Sequence, residues 1–127
     1  SNPVLAVVIE QSVRAADTLL REEILAANAA LNEFGFGFYD LTSCSPVREN
    51  TRNACLLAAE AVLACAESFE LFMRTHQLPV KLLLTQHAVP EKLMERYRKY
   101  MIATIVICAG DYPALQGYIR GRRGEPL

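Results

Sequence analysis

Four short, mostly apolar runs, each leaving through a polar cluster into a segment of helical period, constrain this chain more than any other feature. They cover residues 4–9, 36–42, 80–85 and 102–108. The first reads Val-Leu-Ala-Val-Val-Ile and the last Ile-Ala-Thr-Ile-Val-Ile-Cys. A run of this length, bounded by turn residues, has the pattern of a strand buried on both faces. Between the first two runs, Val13, Ala16, Leu20, Ile24, Ala27 and Leu31 recur at spacings of three and four. That spacing predicts an amphipathic helix, with Ser12 as its N-cap and Gly35 and Gly37 beyond its end. Ser45-Pro46 opens a second helix, expected over residues 46–76. Pro90 opens a third, charged helix to about residue 100, and residues 113–120 form a short fourth. The order is βαβαβαβα. It predicts an α/β fold of Rossmann-like kind, a three-layer sandwich whose four-stranded, mainly parallel sheet carries helices on both faces.

A chain of 127 residues that is 52% hydrophobic and 21% charged can bury a core without metal or disulfide staples, and it is neither disordered nor fibrous. A single α/β domain is expected over residues 3–120. Ser1-Asn2 reads as the scar of a cleaved tag, and residues 121–127 as a flexible tail. The missing initiator Met is also compatible with a domain of a larger protein. No window approaches 18 uncharged apolar residues, so no membrane partner is expected. Cys44, Cys55, Cys65 and Cys108 form no CxxC and no Cys/His ligand cluster, which points to free thiols, no metal and a cytoplasmic setting. No GxGxxG and no Walker lysine is present, so nucleotide binding of the usual kinds has no support and the sequence names no cofactor either way.

In an open parallel sheet, ligands bind beyond the carboxyl ends of the strands. The sequence places Glu10, Gln11 and Ser12 at the first exit, and Asp40, Thr42, Ser43 and Cys44 at the second. Thr85, Gln86 and His87 follow at the third exit, and Gly110, Asp111 and Tyr112 at the fourth. Turn chemistry explains Ser12, Ser43, Ser45 and Asp111; it explains Glu10, Gln86 and His87 less well. The expected ligand-binding set is therefore Glu10, Gln11, Asp40, Ser43, Cys44, Gln86, His87 and Asp111, facing a small polar or anionic ligand. Cys44 and His87 have the chemistry of a thiolate–imidazole pair, and Glu10 with Asp40 that of paired carboxylates, though no spacing rule joins either pair.

The second helix is apolar on almost every face from Ala54 to Ala66, with Glu60 as its one charge. Such a helix lies between two layers or packs on a second copy, and a homo-oligomer through the 54–66 face is expected. Lys+Arg number 13 against 14 Asp+Glu, for a net charge of −1, so the basic excess of a general nucleic-acid binder is missing. Arg96, Arg98 and Lys99, interleaved with Tyr97 and Tyr100, suit a nucleic-acid face but read as solvated residues on a charged helix; no nucleic-acid partner is expected. Residues 79–88 are similar to the fourth strand of bacterial receiver domains. That family's acidic pair, phosphoacceptor Asp and Lys have no counterparts here, so no family is assigned. The functional expectation is a non-catalytic α/β module that binds a protein partner or small ligand as a homo-oligomer. The alternative is a small hydrolase or transferase using Cys44 or Glu10 with His87.

Overall fold

The computed structural model describes residues 3–122. Its helices are α1 (Pro3–Asn32), α2 (Glu49–Ala64), α3 (Ala66–Thr75), α4 (Val80–His87), α5 (Glu91–Arg96), α6 (Arg98–Ala109) and α7 (Pro113–Arg122), with a 3-10 turn at Phe38–Ser43. No strand occurs among the described residues. The expected α/β sandwich, its Rossmann-like character and its parallel sheet are therefore corrected to an all-helical bundle.

Each misread run has a physical explanation. Residues 102–108 belong to α6, where Met101, Ile102, Ala103, Thr104, Ile105, Val106 and Ile107 are all buried. A helix enclosed on every side keeps no polar face, so its 3.6-residue period vanishes and it reads like a buried strand. Its β-branched side chains favour strands only weakly, and packing overrides that preference. Thr104 satisfies its hydroxyl inside the helix by donating to the Tyr100 carbonyl (2.9 Å). Residues 4–9 are the opening turns of α1, and residues 80–85 lie in α4. The 36–42 run enters the 3-10 turn, which Asn28 ties to α1 by accepting the Phe38 N–H (2.8 Å).

α6 is the axis of the core. α2 lies along it, and its small Ala58 and Ala59 are buried together with Cys55 and Val62. The side of residues 54–66 that carries Cys55, Ala58, Ala59 and Val62 is thus covered within the same chain, so these apolar residues need no second copy to bury them, while Leu57 on the other side stays exposed. The single helix expected over 46–76 is broken at Cys65, whose backbone is extended (φ −113°, ψ 105°). The break redirects α3 so that Phe72 stacks on Phe34, with ring centroids 4.9 Å apart. Residues 121 and 122 of the expected tail end α7; residues 123–127 and the suspected tag residues 1 and 2 lie outside the described residues. No described helix is long and apolar enough to cross a membrane.

One buried carboxylate holds the last helix in place. Glu23, on α1, is 5% exposed and accepts the N–H groups of Ala114 and Leu115, each at 3.1 Å. These are two of the donors that the first turn of α7 cannot satisfy internally, so Glu23 acts as an N-cap from a distant segment, favoured by the helix dipole. Gln116 answers from α7, donating to the Ile107 (2.9 Å) and Gly110 (2.7 Å) carbonyls at the end of α6. Replacing Glu23 by Ala is expected to cost about 2 kcal/mol, because hydrogen bonds to a charged group are lost and buried donors are left unpaired. Urea denaturation measures it; an unchanged midpoint would show that α7 docks without this clasp.

Candidate nucleic-acid interface

Six charged residues crowd into positions 91–99, just after α4 and a three-residue turn lead into α5. α4 starts beyond Pro79, which removes a donor that a first turn does not need, and it buries Leu83. Ala88 ends α4 in the left-handed conformation (φ 53°). Val89 is buried, and its N–H donates to the Leu83 carbonyl (3.0 Å). The Pro90 carbonyl then accepts the N–H groups of Leu93 (3.1 Å) and Met94 (3.2 Å), which starts α5.

α5 runs into α6 with one distortion. Tyr97 has φ −113° and ψ 26°, yet its N–H reaches the Leu93 carbonyl (2.9 Å) and its own carbonyl accepts the Met101 N–H (2.9 Å). The two helices form one bent rod. Its first part carries Glu91, Lys92, Glu95, Arg96 and Arg98 exposed, with Met94 facing inward; its second part is the core axis. Arg96 lies 5.4 Å from the centroid of the Tyr97 ring and donates from Nε to the Tyr97 hydroxyl (3.0 Å). Lys99 stands 6.0 Å over the Phe36 ring. Between residues 80 and 100, Lys81, Lys92, Arg96, Arg98 and Lys99 face only Glu91 and Glu95, a local charge of +3 in a chain of net charge −1.

The residues expected at a sheet rim are dispersed instead. Glu10 and Gln11 lie in the exposed half of α1, where Glu10 pairs with Arg14 (2.6 Å). Asp40, Ser43 and Cys44 do come together, around the 3-10 turn. The Asp40 carboxylate accepts the Gly37 N–H (2.9 Å), while Ser43 Oγ (3.4 Å) and Cys44 Sγ (3.1 Å) donate to the Asp40 carbonyl. Gln86 and His87 close α4, and Asp111 lies between α6 and α7. Without a sheet, no common edge gathers these groups. Among the described residues no cluster of His, Cys, Asp or Glu is placed to hold a metal. Burial pushes the Cys55 thiol up to about 11.

Two short helices joined by a tight turn, the second presenting charged and hydrogen-bonding side chains, have the connectivity of a helix-turn-helix within an all-helical domain. The chain is 36% identical over 101 residues to the RNA polymerase sigma factor SigI of Bacillus subtilis (strain 168), covering 80% of this chain and 40% of that protein. It is 34% identical over 105 residues to the sigma factor SigI of Bacillus anthracis, covering 83% and 44%. It is 29% identical over 99 residues to the sigma factor SigI7 of Acetivibrio thermocellus, covering 78% and 42%. The chain thus spans about two-fifths of the length of these relatives. No family model matches it. These similarities overturn the expected small-ligand module and its hydrolase or transferase alternative, and they correct both the exclusion of nucleic acid and the homo-oligomer.

Sequence reasoning passed over Lys92 and the Ala88 turn. Their signal was an apolar segment, the short break Ala88-Val89-Pro90, and a charged helix becoming apolar at residue 101. A glycine at position 88 takes up φ 53° without the steric cost that Ala carries. Ala88→Gly is expected to stabilise the protein by about 0.5–1 kcal/mol, read from urea midpoints; a lowered midpoint would refute strain at the turn. Alkylation near pH 8 is expected to modify exposed Cys65 far sooner than Cys55, which is buried and largely protonated at that pH. Peptide mass mapping gives the order, and equal rates would contradict it.

Proposed function

We propose that this chain is a promoter-recognition domain of an RNA polymerase sigma factor, in which α4 and α5 form a helix-turn-helix and α5 enters the major groove of duplex DNA. The observation that carries the reading is the rod from residue 91 to 109, polar and exposed at one end and enclosed by the core at the other. A reading helix must offer its first turns to base edges while the rest of the domain holds it at a fixed angle. Lys92, Arg96 and Lys99 share one flank of the rod and neutralise phosphates, which positions the helix on the duplex. The net charge of −1 does not oppose this, because at physiological salt charges act over about 8 Å and the local surface decides. The sigma-factor relatives support RNA polymerase core as the second partner. Both partners place the protein in the cytoplasm, with residues 3–120 acting as one unit.

Fluorescence anisotropy of the chain on labelled duplexes, titrated with salt, tests the proposal. Log Kobs is expected to fall linearly with log salt. Lys92→Ala and Arg96→Ala are each expected to weaken binding on all sequences alike and to reduce the slope by about 1. Failure to bind any duplex at about 50 mM salt, where phosphate contacts are strong, would overturn it.

A further inference from the structure

The pair Glu91 and Glu95 is what phosphate binding leaves unexplained on this surface. At 100° per residue the two carboxylates lie side by side on one flank of α5, and Lys92 and Arg96 occupy the other. Like charges four residues apart disfavour a helix. Among the described residues neither glutamate has a hydrogen-bond or ion-pair partner, although basic side chains flank them. Both border a cleft of about 450 Å³ between α5 and the start of α4, with Leu78 and Met94 at its base and Gln77 and Arg98 at its margin. Arg98 follows on the same flank one turn beyond Glu95, so phosphate has a partner there, but the two carboxylates themselves repel phosphate and face a duplex seated on the rod with something other than its backbone.

Resting on the reading of this domain as a duplex-DNA binder, we propose that Glu91 and Glu95 are its sequence-reading side chains and that they select cytosine by accepting from its N4 amino group in the major groove. Ionised carboxylates only accept, and the major groove offers two kinds of donor, cytosine N4 and adenine N6. Adenine N6 lies beside the acceptor N7, which opposes the second carboxylate oxygen. Cytosine N4 has the C5 hydrogen beside it on its own base, and its paired guanine O6 lies on the other side just as thymine O4 lies beside adenine N6. The basic flank fixes register without carrying sequence information, and the acidic flank carries it.

Selection of duplexes from a randomised library with the whole chain, followed by anisotropy on the enriched sites, tests this. The wild type is expected to enrich a site with cytosine at one or two positions. Glu91→Gln and Glu95→Gln, made singly, are each expected to move one of those positions from cytosine towards adenine, since a glutamine amide pairs with adenine N6 and N7. Each is also expected to reduce discrimination for cytosine by about tenfold or more. If both variants enrich the wild-type site and merely bind all duplexes more tightly, the carboxylates are solvated bystanders and the inference fails while DNA recognition stands. Adenine at those positions in the wild-type site overturns the cytosine assignment. If the wild type enriches no site at all, the helix-turn-helix reading falls, and this one with it.

Discussion

Seven consecutive side chains, Met101 to Ile107, have almost no contact with water, and a helix in that position has to be wrapped from every direction. α2 supplies one wall through small residues that allow close approach. α1 and α7 supply others. Each large aliphatic side chain so enclosed contributes about 1.5–3 kcal/mol relative to leaving it exposed. The ends of this helix are managed with equal care. Its last carbonyls are bonded by Gln116, and Gly110 follows with the Tyr112 ring so close that a Cβ would meet it at 2.3 Å. A side chain at this position would have to displace the Tyr112 ring, although the φ of −95° is open to any residue.

The same helix links packing to function. Because α6 cannot shift within its sleeve, the polar rod that extends from it as α5 is aimed by the core rather than by its own few contacts. Tyr97 marks the junction. Its backbone departs from helical values while the hydrogen bonds on both sides persist, so the rod bends without breaking. A short helix of six residues is marginal alone in water. As the leading end of a buried helix it holds its place, which is what a surface for reading another molecule requires.

Much of the segmentation was legible in the chain. Pro79, Pro90, Gly110 and Pro113 all stand at or next to helix ends, and the three-and-four spacing from Ala16 to Leu31 lies in α1 as its period implies; the helix start expected at Ser45-Pro46 falls instead at Glu49, after Arg48 as N-cap. The identity of the apolar runs was not legible. Ile102 to Cys108 looks the same as a buried strand or as a buried helix, because both lose the polar face that would mark their period. Residues 80–85 are too short for either period to show. The basic residues at 96, 98 and 99 were visible as a pattern, but a charge balance summed over the whole chain concealed them. Electrostatic recognition is local, so a sum over the whole chain does not decide the charge that this surface presents at physiological salt.

By itself the sequence determined where several of the chain breaks fall, which segments are greasy, and that the helix opened by Pro90 would be charged. Those properties belong to neighbouring residues and are written in local order. The tertiary structure alone decided that the greasy segments coil rather than pair edge to edge, that Glu23 caps a helix begun ninety residues later, and that the charged end of one rod stands clear of the protein. These outcomes depend on which surfaces meet across the whole chain, and an apolar run carries no mark of its partner until the core closes around it.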